Sequence, residues 1–204
     1  LYNYFSGSID DIAIWNRALT VIEINDLYNN SISSLCNSTD LPLDLQNDLV
    51  GLWPFCGNSN DLSNNNNNGT TIGPTLIQDR FGNSQNAYFF DGINDYIDMG
   101  SPIIIGENAV TYSFWVYTES NSAMDIMGQF CQDQSSGNCD TSNDIRIALN
   151  GSQVDGGCGF EGLTFKSPSH FATAPFSSFE IADSCPTSTI IEFTTLSADD
   201  SSFA

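Results

Sequence analysis

Basic side chains are almost missing from this sequence. Lys and Arg number 4 in 204 residues, against 25 Asp and Glu, for a formal net charge of −21. Proteins bind a phosphodiester backbone by setting Lys and Arg against it and releasing its counterions, so nucleic-acid binding is excluded as a function class. An anionic membrane surface is disfavoured for the same reason. Histidine occurs once, at His170, with no His or Cys at a ligand spacing, and Cys-x-x-Cys does not occur. Zinc spacing is therefore absent. No apolar run approaches the roughly 20 residues of a membrane-spanning helix, and membrane insertion is not expected. No Ser/His/Asp or Cys/His set forms around the single histidine, and no Gly-rich phosphate loop is present.

What is abundant suits strands and turns. The chain holds 14 Phe, 7 Tyr, 3 Trp and 16 Gly, with many Asn, Ser and Thr. The acid excess is mostly Asp, which suits loops, and it keeps an exported protein soluble. There are six cysteines: Cys36, Cys56, Cys131, Cys139, Cys158 and Cys185. An even count without zinc spacing points to disulfides and an oxidising compartment, hence to an extracellular or cell-surface protein. Nearest neighbours suggest Cys36 with Cys56, Cys131 with Cys139 and Cys158 with Cys185, one of several pairings six cysteines allow.

Along the chain, Ile9, Ile12, Ile14 and Trp15 fall in a run that reads as a buried strand. Thr20 and Glu23 have capping-box spacing, and Ile24, Leu27 and Tyr28 follow on one helical face. Residues 31–48, rich in Ser, Asn, Asp and Pro, read as a linker. Leu49–Phe55 reads as a strand leading into a polar loop with five successive asparagines, Asn64–Asn68. Asp79–Asn83 reads as a turn. Ala87–Phe90 and Tyr96–Met99 read as paired strands around Asp91-Gly92, with Asp91, Asn94, Asp95 and Asp98 serving the turn. Thr111–Tyr117 is an aromatic strand and the firmest core element. Ile145, Ile147 and Leu149 alternate with polar or small residues into an Asn150-Gly151 turn, and Thr189–Thr195 is a last strand candidate.

Two stretches carry a family resemblance. Tyr4-Phe-Ser-Gly-Ser-Ile-Asp-Asp-Ile-Ala-Ile-Trp-Asn-Arg-Ala-Leu19 resembles the end of a laminin-G-like module, of the pentraxin-related branch of concanavalin-A-like lectins. Leu49-Val-Gly-Leu-Trp-Pro-Phe55, the Asn-rich loop and Phe90-Asp-Gly-Ile-Asn-Asp-Tyr-Ile-Asp98 resemble the beginning of one. The resemblance implies an all-β fold, a jelly-roll-like sandwich of two antiparallel sheets with one short N-terminal helix. It implies residues 1–30 as the closing strand and helix of one module, 31–48 as linker, and 49–204 as a second module, truncated or divergent at its C-terminal end. The chain then reads as a slice of a longer modular protein, with any signal peptide upstream. Because the second module shows no closing strand of its own, Ile9–Trp15 is expected to fold back beside Leu49–Phe55, as in a circular permutation.

The same resemblance implies a non-catalytic recognition or adhesion module whose partner is a glycan or an extracellular protein. Alternatives are an accessory carbohydrate-binding unit of a polysaccharide-degrading enzyme, or a spacer. Hydrolases of related fold carry Glu-x-Asp-x-x-Glu on one strand, because two carboxylates must flank the sugar bond. That signature is absent: Glu107, Glu119, Glu161, Glu180 and Glu192 stand alone, and Glu23 belongs to the helix cap. Calcium is the implied structural cofactor, with Asp61 of the opening loop and Asp10 of the closing strand as the implied ligands. Trp53, Trp115 and Tyr117 are sugar-platform candidates by type, but all three lie in apolar strands and are expected in the core.

Overall fold

The computed structural model describes residues 3–29, 36, 41–100, 109–120, 122–129, 145–151, 160–166 and 189–196. They form eleven strands: β1 (Ser6–Trp15), β2 (Leu49–Trp53), β3 (Thr70–Ile72), β4 (Thr75–Ile77), β5 (Ala87–Asp91), β6 (Tyr96–Asp98), β7 (Ala109–Tyr117), β8 (Met124–Gln129), β9 (Ile145–Gly151), β10 (Phe160–Lys166) and β11 (Thr189–Leu196). Two short helices, α1 (Val21–Asn29) and α2 (Leu43–Gln46), lie between β1 and β2. The strands form mostly antiparallel sheets. A six-stranded sheet runs β11-β7-β1-β5-β4, with β2 also paired to β1; β10-β9-β8 and β3-β6 form two smaller sheets.

β1 is the centre of this arrangement. One edge pairs with β7 along its length, and the other pairs first with β5 and then with β2. The expected fold-back is therefore present: Ile12 faces Trp53, Ala13 faces Leu52 and Ile14 faces Gly51. A bulge divides the strand. Asp10 faces Trp115 and Ala13 faces Ser113, so β1 carries one extra residue there, and Asp11 takes φ +51°. Asp is among the few residues that enter this left-handed region at modest cost. The extra residue reverses which side chains point inward. Phe5 and Ile9 before the bulge, and Ile12 and Ile14 after it, enter one core.

That core also takes Trp53, Phe55, Tyr88, Phe90, Tyr112, Phe114 and Val116, and from the second sheet Met124 and Ile147. Beyond the bulge the opposite face of β1 is buried too. Ala13 and Trp15 pack with Leu19, Leu27, Leu41, Leu45 and Leu52. Among the described residues the helices therefore cover the Trp15 end of the outer face and not the Ser6–Ser8 end, where Ser6 and Ser8 are half-buried.

Local chemistry holds these covers in place. Glu23 N–H donates to Thr20 Oγ1 and Thr20 N–H donates to Glu23 Oε2, which is the expected capping box. Arg17 grips Glu23 with two nitrogens at 2.7 and 2.9 Å. That grip, with the Thr20 bonds, holds the Glu23 carboxyl down at about 2. The segment read as a linker contributes buried Leu41 and Leu45, and α2, which was not foreseen, receives the Trp15 indole N–H at the Leu45 carbonyl, 2.8 Å. Cys36 is joined to Cys56. Cys131, Cys139, Cys158 and Cys185 lie outside the described residues, as do His170, Glu107 and Glu180 and the side chains of Tyr28, Glu161 and Glu192.

Two expectations about the strands change, and the last strand candidate is present. Tyr96–Asp98 pairs with β3, not with Ala87–Asp91, because both edges of β5 are already taken by β4 and β1. Asn150 and Gly151 continue β9, which pairs through Gly151 with Phe160 of a strand the sequence did not announce. The Thr189 candidate is β11, paired along its whole length with β7.

Candidate functional site

The half of the outer face that the helices do not cover carries an aromatic row. Directly paired residues of antiparallel strands point to the same side. Ser8 is paired to Phe89 on β5 and to Tyr117 on β7, so the three form one line across three strands. Phe89 is 42% exposed and Tyr117 41% exposed, with the small Ser8 between them. Two strand spacings set the rings roughly 10 Å apart. Gly7 helps to place the row, because a Cβ at this position, with φ +150°, would collide with the Tyr117 carbonyl oxygen.

The row has acidic and basic borders. On one side lie Asp91, paired to Ser6, and Glu119, which accepts the Tyr117 hydroxyl at 2.7 Å. That bond raises the Tyr117 hydroxyl above its ordinary range, since the neighbouring carboxylate opposes a phenolate. On the other side Asp10 is paired to Trp115, and the Arg80 guanidinium lies 3.9 Å from the Trp115 ring centroid and 4.5 Å from that of Phe81. Phe81 is exposed. Arg80 Nη1 contacts Asp10 Oδ2 and Asp11 Oδ2, each at 2.7 Å. Successive strand residues ordinarily point to opposite faces. The bulge turns Asp11 to the side of Asp10, so one guanidinium meets both. Burial, then the Asp11 charge, push the Asp10 carboxyl up to about 8 against the opposing pull of Arg80.

Tyr117 and Trp115 correct the expectation of core packing. β7 sends Tyr112, Phe114 and Val116 inward, so the odd-numbered residues face outward. A strand with aromatics on both faces does not reveal its phase in sequence. Trp53 is fully buried, as expected, with its indole N–H donated to the Asn67 carbonyl.

Asp10 and Asp61 are held by separate partners. Asp61 Oδ1 accepts the Leu52 and Ser63 N–H groups, and Oδ2 accepts the Ser63 hydroxyl and the Asn67 N–H. Asn65 and Asn67 amides donate to the Val50 carbonyl, and Asn64 and Asn66 take positive φ. The asparagine run thus closes the free edge of β2 with its side-chain amides and left-handed backbone. Four donors already occupy the Asp61 carboxylate and Arg80 faces Asp10, an arrangement that favours hydrogen bonding at each over a calcium ion shared by the two. Among the described residues no group of three or more His, Cys, Asp or Glu is placed to hold a metal. Asp61→Ala should lower stability by about 3 kcal/mol, equally in chelator and in millimolar calcium, by urea unfolding. A loss seen only with calcium would restore Asp61 as a ligand.

Asp79 caps the next loop, accepting the Phe81 and Asn83 N–H groups. Asp95 accepts the Asp91 N–H and Asp98 the Gly100 N–H, which fits the turn role read for that cluster. The residue sequence reasoning missed is Arg80. One signal was available: a lone Arg inside a turn, in a chain with 4 basic residues, must be matched to some carboxylate.

No helix of the described residues is long and apolar enough to cross a membrane. The chain matches no family model, no curated protein and no solved structure.

Proposed function

We propose that this chain is a non-catalytic recognition module of an exported protein, built as a laminin-G-like jelly-roll sandwich, and that it binds glycan on the outer face of its large sheet. The observation that carries the reading is the Phe89–Ser8–Tyr117 row. Solvent-facing strand positions are ordinarily polar, and two exposed rings on one line give an apolar platform for the C–H face of a sugar. Hydroxyl and carboxylate groups of Ser8, Asp91 and Glu119 stand beside the rings and accept hydrogen bonds from sugar hydroxyls. The pairing of the Ile9–Trp15 strand with Leu49–Trp53 supports the laminin-G-like reading, since those two stretches carry the resemblance. The Cys36–Cys56 bond supports an extracellular setting.

A glycan array tests this. Wild type should bind a subset of glycans, and Phe89→Ala or Tyr117→Ala should each weaken binding about tenfold with unchanged melting temperature, as for an aromatic anchor. Binding unchanged in both variants would remove the row from the site. Binding to a surface protein that persists after enzymatic deglycosylation would replace the glycan reading by a protein-recognition one.

A further inference from the structure

Resting on that glycan reading, we infer that the row takes an uncharged polysaccharide chain, laid across the strands over Ser8, and rejects anionic glycans.

The argument begins with where the cations are. Sulfated and carboxylated sugars are recognised by unengaged Arg and Lys, which pair with the anion and release its counterions. This chain has four such side chains: Arg17, Arg80, Arg146 and Lys166. Arg17 is held bidentately by Glu23, on the helix-covered side of the molecule. Arg80 is the one basic residue beside the row, and it faces two carboxylates, Asp10 and Asp11. Arg146 and Lys166 belong to β9 and β10 of the other sheet, where they are paired in register. Among the described side chains, then, none offers the row a cation free of an acid.

The border adds a repulsive element. Glu119 touches the Tyr117 hydroxyl, and Asp91 stands two residues along β5 from Phe89, about 7 Å away, both inside the roughly 8 Å over which charges act at physiological ionic strength. A sulfate on a sugar lying over Ser8 meets both, within a chain of net charge −21. For an uncharged sugar the same two carboxylates are hydrogen-bond acceptors, so one pair of residues attracts one class and repels the other. The row runs perpendicular to β1 and continues past Phe89 to the exposed Thr75 of β4, which suits the interior of a long chain.

Dextran, hydroxyethylcellulose and galactomannan, each immobilised in a native gel, should be compared with dextran sulfate and heparin, using the whole chain. Retardation is expected with at least one uncharged polymer, with little change between 50 and 300 mM salt, and none with the sulfated ones. Phe89→Ala should weaken it about tenfold, to the edge of detection. The double variant Asp91→Lys/Glu119→Lys, at exposed positions, should gain retention by dextran sulfate that fades with salt. Retention of wild type by sulfated polymers alone, lost in Phe89→Ala, would overturn the charge selection and leave the glycan reading standing. Retention by none of the polymers overturns both.

Discussion

A chain that starts at Leu19 should show no cooperative unfolding transition. The deletion removes the strand that joins β7 on one edge to β5 and β2 on the other. It takes Phe5, Ile9, Ile12 and Ile14 from the main core, and Ala13 and Trp15 from beneath the helices. Each large buried side chain lost costs about 2–5 kcal/mol. Five of them, at about 10–25 kcal/mol together, match or exceed the roughly 5–15 kcal/mol by which a domain is stable. The three exposed strand edges would pair with other chains. Circular dichroism on heating should show a broad, non-cooperative decay, and adding a peptide of residues 3–18 should restore a cooperative melt. A truncated chain melting within a few degrees of the intact one would show that β1 is dispensable and that the module is complete without it.

The position of β1 was legible because two short motifs stood in the reverse of their usual order, and a sandwich without its last strand has an edge to fill. Local signals were legible where one residue answers one backbone group: the Thr20–Glu23 box, the Asp79 turn and the asparagine loop. The face of each β7 side chain was not legible, since Tyr112 and Phe114 point inward while Trp115 and Tyr117 do not, and all four are aromatic. Nor was the bulge. Asp10 and Asp11 look like an ordinary acidic pair within a strand, and only an extra residue of register lets one arginine, 69 positions beyond Asp11, reach both. The partner of β6 was hidden for a similar reason: it depends on which edges of β5 remain, a property of the whole sheet. The candidate row arises from three strands brought together by β1, so it has no signature along the chain.

Arg80→Ala should be the most damaging single substitution outside the core, at about 3–5 kcal/mol, because it leaves Asp10 and Asp11 buried without their counter-ion. Its cost should depend on pH through Asp10. In the folded chain burial and the Asp11 charge raise that carboxyl to about 8 from 3.8, and its Oδ1 is buried with no hydrogen-bond partner among the described residues. The unfolded chain has already released this proton above pH 4, so between about 4 and 8 the folded state binds more protons than the unfolded one. Stability from this group is therefore fully present below about 4 and is lost as pH rises to about 8, at a slope of at most ~1.4 kcal/mol per pH unit. Glu23 has the opposite sign: its carboxyl, lowered to about 2 from 4.5, contributes above 4.5 and loses that contribution as pH falls toward 2. The two together place the stability maximum in mild acid, near pH 4–5. Self-repulsion at net charge −21 also grows with pH, but it is common to wild type and to any variant that is neutral at the one position. The difference between wild type and Asp10→Asn isolates the carboxyl: Asn keeps an oxygen for Arg80 and cannot ionise. Asp10→Asn should match wild type near pH 4 and melt several degrees higher at pH 8. Arg80→Ala should fall further below wild type at pH 8 than at pH 5. Parallel melting curves for wild type and Asp10→Asn across pH 4–8 would mean that Asp10 is ionised throughout and that Arg80 fully neutralises it.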